Sequence, residues 1–275
     1  MGIKFGFTIL FVLSVNLALS QTEYGIQLYS FRNQFKEDIP GTIKLISSLG
    51  IRYVEGGDSY GMPVTEFKKL LDQHNIKVVS IGADYNELKG NISTIVEKAK
   101  IYGASYVVCF WIPHQGEQIT ISEAEEAIKV FNTAGQALAE SGLQFCYHPH
   151  GYEFALVQNE TMLDHIINNT DPLFCNFEMD VYWIKQPGQD PLALLKKFPN
   201  RFLLMHLKDR KKGSPDSMNG HADVETNIVL GEGDVGISAL VKEARKLKIK
   251  YLFIEDESSH SKIQVPESIK FLRKI

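Results

Sequence analysis

LQFCYHPHGYEF, residues 143–154, is an apolar run that ends in two histidines and a carboxylate, His148, His150 and Glu153. Burying such groups costs free energy unless they find partners, so their place at the end of a core strand points to a role. The apolar part is too short for a helix and has the length of a strand buried on both faces. Before it lies ITISEAEEAIKVFNTAGQALAESG (119–142), apolar at helical spacing. Thr120 or Ser122 caps its start, acidic residues fill its first turn and Gly142 ends it. After it, TMLDHIINN (161–169) reads as a further helix.

The same unit recurs in both directions along the chain. Strands are expected at 25–30, 53–57, 77–82, 106–111, 143–148, 174–180, 202–208 and 251–256. Most are apolar throughout, as parallel strands covered on both faces must be. Helices are expected at 42–50, 64–75, 92–103, 119–142, 161–169, 191–198, 237–247 and 266–275. Eight strand–helix units in succession predict an α/β fold, a single (β/α)8 TIM barrel with a parallel eight-stranded sheet. An open doubly wound sheet fits less well, because no G-x-G-x-x-G follows the first strand.

Residues 1–20 read as a signal peptide: Lys4, then the apolar run 5–19, then small residues at Ala18 and Ser20. The run is too short for a comfortable membrane span. The barrel domain is therefore expected over 21–275, exported to the periplasm or secreted, with no membrane contact after cleavage. The formal net charge of −4 is a poor match to nucleic acid. Three cysteines, Cys109, Cys146 and Cys175, each lie in an apolar run; an odd count argues for buried core thiols rather than a disulfide framework. The connection from Asp209 to Gly236 is long, polar and rich in Gly, Ser and Asp. It follows the seventh strand on the active face of such barrels, where it is placed to close over a substrate.

Polar residues at the C-terminal strand ends of a barrel converge on one mouth. Here they include Gln27, Glu55, Trp111, His148, His150, Glu153, Glu178, Asp180, His206, Lys208, Glu255 and Glu257. Strand period two places Glu178 with Asp180, and Glu255 with Glu257, on one face. His148, Asp180, His206 and Glu255 come from four consecutive strands, which span half a barrel wall. Two imidazoles and two carboxylates suit one divalent ion, Mn²⁺, Zn²⁺, Co²⁺ or Fe²⁺. On spacing alone, either His148 or His150 can be the ligand from the fifth strand.

Taken in order, IQLYSFR (26–32), YHPHGYEF (147–154), FEMDVYW (177–183), LLMHLKD (203–209), LGEGDV (230–235) and FIEDE (253–257) resemble the xylose-isomerase-like barrel superfamily. This is the sugar isomerase/epimerase group, which also contains inosose dehydratase and, more distantly, endonuclease IV. The resemblance implies a metal held by Asp180, His206 and Glu255, with His148 standing where the epimerases have a glutamate. In those enzymes two glutamates serve opposite faces of the reacting carbon; here only Glu255 remains, and His150 or Glu153 is left to replace the other. Trp183 stands where the epimerases carry a substrate-binding histidine.

The expected chemistry is that of a metal-dependent isomerase or epimerase acting on an unphosphorylated keto-sugar. Glu255 removes the proton beside the carbonyl and the metal stabilises the enediolate. The altered fifth strand improves the case for the alternative, a keto-glycoside lyase or dehydratase that begins with the same step. A non-catalytic sugar-binding barrel is the third reading. Gln27, Glu55, Trp111, Glu178, Trp183 and Lys208 are expected around the carbohydrate, by stacking or by hydrogen bonding to hydroxyls.

Overall fold

A computed structural model describes residues 22–275. The proposed signal segment, 1–20, lies outside them. Eight parallel strands close into a barrel: β1 (Glu23–Gln27), β2 (Tyr53–Gly56), β3 (Lys77–Gly82), β4 (Tyr106–Cys109), β5 (Gln144–Tyr147), β6 (Cys175–Asp180), β7 (Phe202–Leu207) and β8 (Tyr251–Ile254). Each pairs with its neighbours in sequence, and β1 pairs with β8 to close the ring. The (β/α)8 barrel expected from the sequence is the observed fold.

Alternation along the strands divides the core in two. Ile26, Val54, Val78, Val107, Phe145 and Met205 pack outward against the helices. Val79, Val108, Cys146, Leu204 and Phe253 form a separate cluster that fills the lumen. One step of two residues toward the C-terminal end, the lumen positions change character. Cys146 gives way to His148, Leu204 to His206 and Phe253 to Glu255. An apolar plug thus sits beneath a polar layer, and the barrel has a floor. All three cysteines are buried and free, as expected.

Several element boundaries differ from the sequence reading. β1 stops at Gln27, because the Gln27 side chain accepts from the Tyr29 amide and starts a 3-10 turn over Leu28–Phe31. β4 stops at Cys109, which releases Phe110 and Trp111 from the strand to line the mouth. The last helix begins at Ser261, not at Pro266, and holds Pro266 in its interior. Among the described residues, no helix is long and apolar enough to cross a membrane.

The long connection after β7 is folded onto the barrel. Asp209–Arg210 pairs antiparallel with Asn227–Ile228. The buried Asp209 carboxylate accepts from the amides of Gly231, Gly233 and Val235. A Cβ on Gly233 would collide with that carboxylate. The LGEGDV stretch is therefore a backbone clasp for Asp209, and Asp234 within it pairs with Arg210. The part of the connection beyond the ribbon leans over the β4 side of the mouth, where the His221 ring lies 5.9 Å from Trp111.

Candidate active site

Four side chains from four consecutive strands meet at the top of the lumen. Asp180 ends β6 and caps the helix Val181–Lys185; its Oδ1 accepts from the amides of Tyr182 (2.8 Å) and Trp183 (3.1 Å). That leaves Oδ2 buried and without a partner, aimed at the other three residues. His148 Nε2 lies 3.7 Å from Asp180 Oδ2, and His206 Nδ1 lies 3.8 Å from it. Glu255 Oε2 is 3.3 Å from His206 Nδ1, which is also buried and unpartnered. Donor atoms about 2.1 Å from one tetrahedral centre stand about 3.4 Å apart, so this spacing fits a bound ion.

The far nitrogens of both imidazoles are held by buried carboxylates. His148 Nδ1 is 2.9 Å from Glu178 Oε2, and His206 Nε2 is 2.6 Å from Glu55 Oε1. A carboxylate behind a histidine fixes its tautomer and aims its other nitrogen at a metal. Glu55 is itself fixed by Gln27 Nε2 (2.8 Å) and by the Ser80 hydroxyl. The strand register slips at Val54/Glu55 and again at Phe177/Glu178, so both carboxylates sit at irregularities that re-aim side chains.

A second overlapping group, His148, Glu178 and His206, also brings three donors within 4.8 Å of one another. His148 Nδ1 is joined to Glu178 Oε2, while Glu178 Oε1, Asp180 Oδ2 and His206 Nδ1 are buried without a partner and Glu255 Oε2 accepts from Lys208. Three buried acids, Glu55, Glu178 and Asp180, and the half-buried Glu255 crowd together with only Lys208 and the imidazoles to balance their charge. Burial, then the Glu55 charge, pushes the Glu178 carboxyl well above its usual range, and burial raises Asp180 to about 6. Burial opposes the charge on His206, yet Glu178, Glu55 and Glu255 overcome it and push its pKa far up. An excess of negative charge around three orphaned donor atoms, Glu178 Oε1, Asp180 Oδ2 and His206 Nδ1, is the donor set a divalent cation satisfies.

Lys208 follows β7 and is 1% exposed. Its ammonium lies 3.3 Å from Glu255 Oε2, contacts Glu257, and sits over the rings of Tyr182 and Trp183. Although burial favours the neutral acid, Lys208 and His206 hold the Glu255 carboxyl well below its normal value. Lys208 thus sets the charge and position of Glu255 from behind the cavity wall.

His150 lines the cavity with His148, His206, Glu255 and Glu257. Its Nδ1 is 3.3 Å from the His148 carbonyl oxygen. A carbonyl only accepts, so Nδ1 carries the proton and Nε2 keeps its lone pair. Burial and then the Lys208 charge lower its pKa to about 4.

Glu153, expected near the reacting carbon, is fully buried and does not line the cavity. Its carboxylate accepts from the amides of His150 (3.1 Å) and Gly151 (2.8 Å) and from the Tyr147 hydroxyl. It holds the turn after β5, where Gly151 adopts φ 97° and a Cβ would lie 3.1 Å from the Trp183 carbonyl oxygen. Burial raises this carboxyl to about 7.

The residues expected around a sugar divide into two sets. Gln27 lines the cavity, and Trp111 lines an adjoining one. Glu55 and Glu178 are fully buried beneath the histidines, and Lys208 and Trp183 form the wall behind Glu255 and His150. Asp58, Tyr60 and Phe110 line the cavity and were not singled out from sequence. The signal available for the first two was the Gly56-Gly57 pair before Asp58, which turns the chain out of β2.

Relatives share this architecture. An inosose dehydratase from Geobacillus kaustophilus is 25% identical over 203 residues, 63% of this chain. The chain spans 65% of that relative's length. A sugar phosphate isomerase/epimerase from Parabacteroides distasonis superposes with a TM-score of 0.77 at 22% identity, over 92% of this chain and 98% of its own. A structure of IOLI protein with a binding zinc atom superposes at 0.69, with 15% identity, over 92% of this chain and 96% of its own. Residues 43–275 match the family model described as xylose isomerase-like TIM barrel, and the chain belongs to that family.

Proposed function

We propose that this protein is a divalent-metal-dependent enzyme that removes the proton beside the carbonyl of an uncharged keto-sugar or related polyhydroxy ketone and completes the reaction as an elimination. The observation that carries this reading is the pair of orphaned atoms, Asp180 Oδ2 and His206 Nδ1, ringed by Glu255 and His148 and backed by Glu55 and Glu178. Asp180, His206, Glu255 and His148 would hold a divalent ion there, and the ion would supply the Lewis acidity that acidifies a C–H beside a carbonyl. Glu255, kept ionised by Lys208, serves as the base on its side of the cavity. His150 presents the Nε2 lone pair on the β5 side, where it is placed to relay the proton taken by Glu255 to a departing group, so that the proton lost from carbon leaves with that group.

One carboxylate and one imidazole make an asymmetric pair. Epimerisation needs a proton-transferring group on each face of one carbon, whereas elimination needs a base for the proton and a proton for the leaving group. The relatives described as inosose dehydratases support the elimination outcome. The cavity lining contains Asp58, Glu255 and Glu257 and no lysine or arginine, which disfavours a phosphorylated substrate. Export belongs to this proposal and rests on residues 1–20; N-terminal sequencing of the mature protein tests it, with Gln21 as the expected first residue.

The test is product analysis by mass spectrometry with metal-loaded protein and a panel of keto-glycosides and keto-cyclitols. A product lighter by water or by the aglycone is expected. A product of unchanged mass would overturn elimination and restore isomerisation, which shares the first proton transfer.

A further inference from the structure

We propose that the metal cavity continues into a second carbohydrate subsite over β2–β4, so that the reacting ring enters as one unit of an uncharged disaccharide. This rests on the reading of the metal cavity as a sugar site. The metal cavity is about 410 Å³, and a neighbouring cavity of about 600 Å³ shares Tyr29, Asp58 and Phe110 with it. The two cavities therefore adjoin at the mouth, with Tyr29, Asp58 and Phe110 between them. Specific small-molecule sites run from about 300 to 1,000 Å³, so the first part alone is enough for a single ring.

The strand ends keep the passage open. Gly56, Gly57 and Gly82 stand where β2 and β3 reach the mouth, and none places a side chain there. A Cβ on Gly82 would come within 3.1 Å of the Phe110 ring, and one on Gly57 within 3.1 Å of Lys98 Cε. Larger residues would press on the walls of the outer cavity.

The outer lining has the chemistry of sugar recognition. Tyr29, 49% exposed, and Trp111 bring aromatic rings to the outer lining; the Arg32 guanidinium lies 4.5 Å over one face of Tyr29, which leaves its other face for the apolar side of a pyranose. The Trp111 ring is set in advance, packed 4.6 Å from Tyr152 and 5.0 Å from His114. Asp58 spends Oδ1 on the Tyr60 amide and has its other oxygen for a hydroxyl, with Lys98 as a donor on the same wall. Asp58, Asp84 and Glu87 outnumber that lysine, which selects against anionic units such as uronates and phosphates. Aromatic faces with carboxylates beside them fit a neutral second sugar.

The test uses binding and needs no turnover. Saturation-transfer NMR on the metal-loaded full chain compares glucose with maltose and cellobiose. At least one disaccharide is expected to bind tenfold or more tighter than glucose. Ala83 lines the outer cavity only. Ala83→Leu is expected to remove that advantage while shifting glucose affinity less than twofold. Lys98→Glu serves as a second variant, with at least a threefold loss for the disaccharide. Equal affinity of glucose and both disaccharides in the wild type would overturn the subsite, as would full retention of the advantage in both variants. Failure of the proton chemistry would leave this binding result readable, so the two readings fall separately.

Discussion

Glu55→Gln separates support of a metal ligand from contact with substrate. Glu55 is fully buried, receives His206 Nε2 at 2.6 Å and Gln27 Nε2 at 2.8 Å, and takes the Ser80 hydroxyl on its other oxygen. The substitution keeps the shape and one carbonyl acceptor but removes the charge that raises the basicity of His206. Loss of such a partner behind a metal-binding histidine costs about 10- to 100-fold in metal affinity, or about 1.4–2.8 kcal/mol. Competition against a chromophoric chelator measures that affinity directly. With metal saturating, KM for the substrate should stay within about threefold, since uniform substrate binding is untouched. A tenfold rise in KM with unchanged metal affinity would refute the reasoning and return Glu55 to the substrate-contact role expected from sequence.

His148→Ala should lose more than about 100-fold in metal affinity, and His150→Ala should hold metal within about tenfold while turnover falls by about 10²–10⁴; the reverse pattern would make His150 the ligand. Glu153→Ala strips partners from the His150 and Gly151 amides and the Tyr147 hydroxyl. Denaturant melts should show a loss above about 2 kcal/mol, with turnover per folded molecule retained. A stable but inactive variant would give Glu153 the catalytic role. Burial pushes the thiols of Cys109 and Cys175 to about 12 and that of Cys146 well above its normal value. A thiol reagent should find no reactive cysteine in the native protein and three after denaturation, while rapid native labelling would contradict the packing.

The barrel was legible because each unit carries its own signals. The apolar strands, the cap of Thr120 with Glu123, and Gly142 at a helix end all act locally. The gathering of His148, Asp180, His206 and Glu255 was legible because period two puts every lumen position of a strand on one side, and the polar change at its end marks the mouth. Depth was not legible. Glu178 and Asp180 share a face, yet Asp180 offers a free oxygen to the centre and Glu178 lies behind His148. Register between strands sets that difference, and the slips beside Glu55 and Glu178 have no sequence mark. Glu153 misled for another reason: three residues from His150, it folds back onto the backbone of its own turn. Trp111 appeared to end a strand, and its release from β4 carries it to the outer cavity instead.

The central claim joins the metal to the proton. Purified protein, its chelated form and the form reloaded with Mn²⁺, Zn²⁺, Co²⁺ or Fe²⁺ should each be incubated in D₂O with keto-glycosides and keto-cyclitols. NMR then follows the C–H beside the carbonyl. About one ion per chain is expected, with C–H cleavage lost on chelation and restored by reloading. Cleavage at full speed in the chelated protein, or none with any substrate in a chain that holds its metal, would contradict the account.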